Sequence, residues 1–182
     1  EILEFAAASD DEHGTVRYLR TPQLRALETY WYLRLVRDTP HVAALYSTLF
    51  PKKPELLEAL GLTHPELKDV ALDLGGVEQL LDRIKTDDTL VKRYRLEALR
   101  ETLTLPYQSY ILALAMGAGK TVLIGAIIAT EFAMADEYPE GPFVQNALVF
   151  APGKVILESL RELLGAPYHR ILPPRFHKPF AA

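Results

Sequence analysis

Residues 110–135 constrain this chain more than any other stretch: they are almost continuously apolar, with Lys120 and Glu131 the only charges. Twenty-six such residues must leave water, either in a bilayer or in a protein core. A lysine near the middle of a membrane span costs roughly 2.5–3.5 kcal/mol. Gly117, Gly119 and Gly125 interrupt the run, and no aromatic or basic anchors bracket both ends. The stretch therefore reads as a buried strand, a glycine turn and a buried helix, and no membrane partner is expected.

Composition supports a packed core. Hydrophobic residues make up 49% and charged residues 24%, which excludes wholesale disorder. The net charge of −4 excludes a protein held on nucleic acid by bulk positive charge, while leaving room for a local phosphate-binding groove. With no cysteine there is no disulfide framework, Cys-ligated zinc or thiol nucleophile, and a reducing, cytoplasmic location is expected. The chain opens Glu1-Ile2-Leu3-Glu4, with neither a basic leader nor a methionine. That opening predicts a piece of a longer polypeptide without a signal peptide.

Three segments differ in character. In residues 1–38, Thr21-Pro22 is a helix start, a hydroxyl followed by proline at the first helical position. Leu24, Leu27, Trp31 and Leu35 then recur at helical spacing, and the helix is predicted to stop before Pro40. Residues 39–105 read as a helical insert, with helices over 42–50, 55–60, 77–85 and 89–105 and an ambiguous stretch at 66–74. From Pro106 the pattern changes. Residues 110–116 and 147–150 are short apolar runs, each followed by a glycine turn and a helical pattern, the second over 154–164. Strand–helix–strand–helix order predicts a parallel sheet with right-handed crossovers, so 106–182 is read as part of an α/β domain.

The first of those turns carries chemistry. Gly117-Ala118-Gly119-Lys120-Thr121 has the G-K-[ST] ending of a phosphate-binding loop, with Leu114 where the standard form has its first glycine. Glycines at 117 and 119 let the amides of residues 117–122, Val122 included, turn inward as an anion nest at a helix N-terminus. Lys120 is placed to reach the β- and γ-phosphates, and Thr121 to ligate the Mg²⁺ that bridges them. ATP and Mg²⁺ are the expected cofactors, with Lys120 as the catalytic cation. A chance glycine turn is the plainer reading, but its position between an apolar run and a helix favours the loop.

A non-glycine first position followed by G-x-G-K-T resembles motif I of superfamily-two helicases. Residues 147–152, Ala-Leu-Val-Phe-Ala-Pro, are similar to their motif Ia. Within that superfamily the chain resembles DEAD/DEAH-box proteins, most of all the helicase subunit of type III restriction enzymes. The resemblance implies a partial RecA-like parallel sheet preceded by an α-helical region, and ATP hydrolysis coupled to DNA, double-stranded in such systems. It also implies a methyltransferase or other defence-system subunit as partner. Those families carry a glutamine upstream of motif I that reads adenine. Gln23 opens a helix after Arg17-Tyr18-Leu19-Arg20, as the family pattern has it, although 97 residues separate it from Lys120. Gln108 is the second candidate, only 12 residues before Lys120.

Pro152-Gly153-Lys154 begins the helix after the second apolar run and suggests a contact to a nucleic-acid backbone. A plain helix start with a solvated lysine explains the same residues. The tail from Ala166 holds Arg170, Arg175 and Lys178 and no acid, a mild basic excess. His13, His41, His64, His169 and His177 show no metal spacing. Tyr30, Trp31 and Tyr32 read as core before base-stacking. Asp10-Asp11-Glu12 and Asp87-Asp88 read as solvated. No apolar strand ending in an Asp-Glu pair follows residue 150, so these 182 residues are expected to bind nucleotide without turning it over. The rival reading is a nucleotide-binding switch whose helical region docks a protein.

Overall fold

The computed structural model describes residues 1–8, 18–150, 158 and 161–180, and the chain divides into two units, 37–111 and 1–36 with 112–182. The 37–111 unit is six short helices: α3 Val42–Leu49, α4 Lys53–Ala59, α5 Pro65–Asp73, α6 Val77–Thr86, α7 Asp88–Tyr94 and α8 Glu97–Thr104. Prolines at the first turns of α4 and α5 start those helices where a missing N–H is harmless. Leu57, Leu62, Leu67, Leu80, Ile84, Val91 and Leu103 meet in one core. The single helix predicted over 89–105 is two helices. Arg95 takes a left-handed conformation (φ 56°) and breaks it, and the Leu96 N–H donates to the Val91 carbonyl, closing α7.

Asp87 is not an idle solvated acid. Its Oδ1 accepts from the N–H groups of Thr89 (2.9 Å) and Leu90 (3.0 Å), capping α7, and Oδ2 accepts from Arg83 Nε. The bond from Leu90 N–H, then that from Arg83, holds its carboxyl below the usual carboxylate range. A lowered folded value stabilises above the unfolded value and is lost as pH falls through the acid range. Asp87→Ala is expected to lower the urea midpoint at pH 7 by removing this cap. The deficit should shrink toward pH 3 in urea titrations followed by circular dichroism.

The other unit is built on α1 Ile2–Ala7, α2 Thr21–Trp31 and the 18-residue α9 Lys120–Glu137. A π-helical turn, Tyr32–Val36, extends α2. Leu24, Leu27 and Trp31 of α2 pack with Leu123 and Ala126 of α9 and with Ile171. Ala129 and Ala133, on the same helix, pack against Leu172 and Phe176 of the tail. Small residues at 125, 126, 129 and 133 are buried on α9, which explains the apolar run: this helix is covered on several sides. No helix among the described residues is long and apolar enough to cross a membrane.

The parallel sheet expected over 106–182 is not present: the described residues are helical and hold no strand, so the fold is not a partial RecA-like α/β sheet. Ile111 is 91% exposed, Met116 96%, Leu148 80% and Phe150 84%, so neither apolar run forms a covered central strand. The physical reason lies in pairing. An apolar run specifies burial, whereas a strand exists only once a neighbour takes its N–H and C=O groups. The helix predicted over 154–164 falls mostly outside the described residues, and its end, Glu162–Gly165, is a 3₁₀ turn.

Candidate functional site

Residues Gly117–Thr121 form a glycine turn that runs into α9, with no strand before it among the described residues. Gly117 (φ 74°) and Gly119 (φ 75°) are both left-handed, and α9 begins at Lys120. The Ala118 N–H donates to the Ala115 carbonyl at 3.2 Å, curling the loop into a turn. The first-turn amides of α9 have no carbonyl to bond within the helix and carry its positive pole. Leu114 is half-buried and packs with the α2–α9 core. A glycine there would forfeit that contact.

Three side chains converge on this loop. Lys120 Nζ donates to the Ala115 carbonyl at 3.1 Å. Arg20 Nη1 donates to the Gly117 carbonyl at 3.2 Å. Gln23 Nε2 donates to the Gly119 carbonyl at 2.9 Å, while its Oε1 accepts from the Arg20 N–H at 2.7 Å. Neither Lys120 nor Arg20 has an acidic partner among the described residues. The loop therefore presents two cations and a helix N-terminus together, in a chain whose net charge is negative.

Gln23, expected to read adenine, lies beside the Gly117–Thr121 turn with its amide spent on protein groups, and it is only 2% exposed. It buttresses Gly119. A methyl group added at Gly119 would stand 2.2 Å from Gln23 Nε2, whereas one at Gly117 would meet nothing within 4 Å. The two glycines thus separate strain from packing. Gly117→Ala should cost about 1–2 kcal/mol, the price of a left-handed residue. Gly119→Ala should cost about 1 kcal/mol more, through loss of the Gln23 hydrogen bond. Equal urea midpoints for the two variants would remove Gln23 from any role in holding the loop.

Thr121 and Val122 are half-buried in the first turn of α9. Gln108 belongs to the 37–111 unit and the loop to the other. Pro152, Gly153 and Lys154 lie outside the described residues, as do Arg17, His13 and the acidic run 10–12. No group of three or more metal-ligating side chains occurs among the described residues.

A buried polar cluster on the same two helices had no sequence signal beyond one acid in an apolar run. Glu131, 2% exposed, accepts from Tyr30 Oη (2.5 Å) and Arg34 Nε (3.0 Å) at Oε1, and from the Val144 N–H (2.8 Å) at Oε2. Arg34 also donates to the Pro142 carbonyl. At the adjacent positions of the same two helices, Trp31 Nε1 donates to Thr130 Oγ1 at 3.1 Å. Trp31 is therefore core rather than a base-stacking platform. Burial, then the hydrogen bond to Glu131, pushes the Tyr30 hydroxyl well above the ordinary tyrosine range. The cluster fixes α2 against α9 at the end away from the loop, while Gln23 fixes it at the loop.

No protein-family model, curated protein or solved structure matches this chain.

Proposed function

We propose that the Gly117–Thr121 loop binds a nucleoside triphosphate, ATP with Mg²⁺, as the nucleotide-binding part of a helicase-like, DNA-dependent ATP hydrolase. One observation carries the reading. Arg20 and Lys120, 100 positions apart in sequence, both lay a cation on a loop of two left-handed glycines at the start of an 18-residue helix. Such a loop offers the first-turn amides of α9, a positive helix pole and two solvent-exposed cations, which is the chemistry a polyphosphate requires.

The bonds from Lys120 and Arg20 go to main-chain carbonyls and are solvent-exposed, so a phosphate oxygen can replace each acceptor. The first-turn amides would hold the β-phosphate, with Lys120 on the β- and γ-oxygens. Thr121 would hold Mg²⁺, whose charge neutralises the polyphosphate. Gln23 positions the loop and leaves adenine recognition to other groups. The DNA part of the reading rests on the resemblance of residues 114–121 and 147–152 to helicase motifs, and on no contact in the described residues.

Calorimetric titration with ATP and Mg²⁺, alongside AMP, tests the phosphate assignment. ATP is expected to bind and AMP to bind at least tenfold more weakly, since it lacks the two phosphates the loop would hold. Equal affinities would place any nucleotide contact outside the loop.

A further inference from the structure

The 37–111 unit contains a cavity of about 300 Å³ that the nucleotide reading does not use. It opens between the start of α4, the outer side of α5 and the turn into α6. Its base is made by Leu57, Ala71 and Val77, each about 5% exposed, and Leu72 stands at its lip, 72% exposed. Lys53 and Lys68 are its only charged lining residues, and neither is ion-paired among the described residues. No carboxylate lines it, although the chain carries 24 acids against 20 bases.

We propose that this cavity binds a medium-length aliphatic carboxylate, with the alkyl chain on Leu57, Ala71, Leu72 and Val77 and the carboxylate between the Lys53 and Lys68 ammonium groups. An apolar body and one anionic end are what the lining selects. A cation would be repelled, and a neutral alkane would leave both ammonium groups without a counter-charge. The size agrees with a small molecule, since ligand pockets run from about 300 to 1,000 Å³ and this one stands at the lower end. A neighbouring recess shares Lys53, Gly75, Gly76 and Val77 but carries the Glu78 carboxylate, so an anionic ligand is directed to the side that Lys68 lines.

Decanoate, kept below its micelle concentration, is the probe, and the full 182-residue chain is the receptor. Methyl NMR is expected to show saturable shifts at Leu57, Leu72 and Val77, and calorimetry a 1:1 complex. Lys53→Gln and Lys68→Gln, both at exposed positions, are each expected to weaken binding about tenfold by removing a charge-assisted contact. Leu72→Asp, also exposed, should weaken it further by placing a like charge at the lip. Decylammonium should bind at least tenfold more weakly than decanoate. Equal binding of decanoate and decylammonium, or an unchanged affinity in the Lys53→Gln/Lys68→Gln double variant, would overturn the proposal. So would shifts produced at these methyls by an acetylated Leu-Asp-Leu-Glu peptide but not by decanoate, which would assign the recess to a protein partner.

Discussion

Glu131→Ala is expected to destabilise the 1–36/112–182 unit by about 3–5 kcal/mol, the usual result of removing one partner from a buried ion pair. The truncation strands three donors at once: the Arg34 guanidinium, the Tyr30 hydroxyl and the Val144 N–H. Each must then find water inside a packed site or remain unsatisfied. A fall in melting temperature on the order of 10 °C is the corresponding observable. Glu131→Gln, which keeps the shape and loses the charge, should fall between wild type and alanine. The same cluster predicts alkaline sensitivity. The folded Tyr30 hydroxyl titrates above its ordinary value of 10.0, so the stability it lends is complete below pH 10 and declines as pH rises beyond it. Tyr30→Phe should lose that decline. A melting temperature within 2 °C of wild type for Glu131→Ala would show the cluster to be dispensable.

Lys120→Ala is expected to weaken binding of ATP with Mg²⁺ roughly ten- to a hundredfold, the equivalent of one charge-assisted contact of about 1.5–3 kcal/mol. The fold should tolerate it. Lys120 is exposed, its one hydrogen bond goes to a loop carbonyl, and alanine is the better helix former at the first position of α9. Arg20→Ala should produce a smaller loss in the same direction, because Lys120 remains. If the Lys120→Ala and wild-type chains bind ATP equally, the loop is a structural turn and the nucleotide reading ends there.

The sequence made some of this legible and hid the rest for physical reasons. Thr21-Pro22 and Gly119-Lys120 mark helix starts within a few residues: α9 begins after a left-handed Gly119, and α2 begins at Thr21, with Arg20 rather than Thr21 as its N-cap and Pro22 in its first turn. Gln23 is singled out in the sequence only as an adenine reader, through the family resemblance. Its amide is engaged by Arg20 and Gly119, which no local pattern states. The sheet failed on the opposite ground. Apolar runs at 110–116 and 147–150 satisfy a strand pattern, but strand pairing is a non-local property and no neighbour takes up either run among the described residues. Glu131 was visible only as an exception in an apolar stretch. Its partners Tyr30 and Arg34 lie 101 and 97 positions away, and nothing in the intervening chain announces them.

The Tyr110 hydroxyl donates to the Pro40 carbonyl, so the 37–111 unit holds its own two ends together. That bond bears on the order in which the chain acquires structure. Gln23 must find Gly119 across 96 positions, of which 70 lie between Pro40 and Tyr110. If the helical unit condenses first, those 70 positions are already gathered up. The remaining search then resembles closure of a loop roughly a quarter as long, an entropic saving of about 1 kcal/mol. The helical unit pairs α5 with α6 and α6 with α7 locally, and closes by packing α3 on α8, so its own longest searches stay inside residues 37–111. A helical unit that condensed first would thus shorten the path by which Gln23 and Gly119 meet.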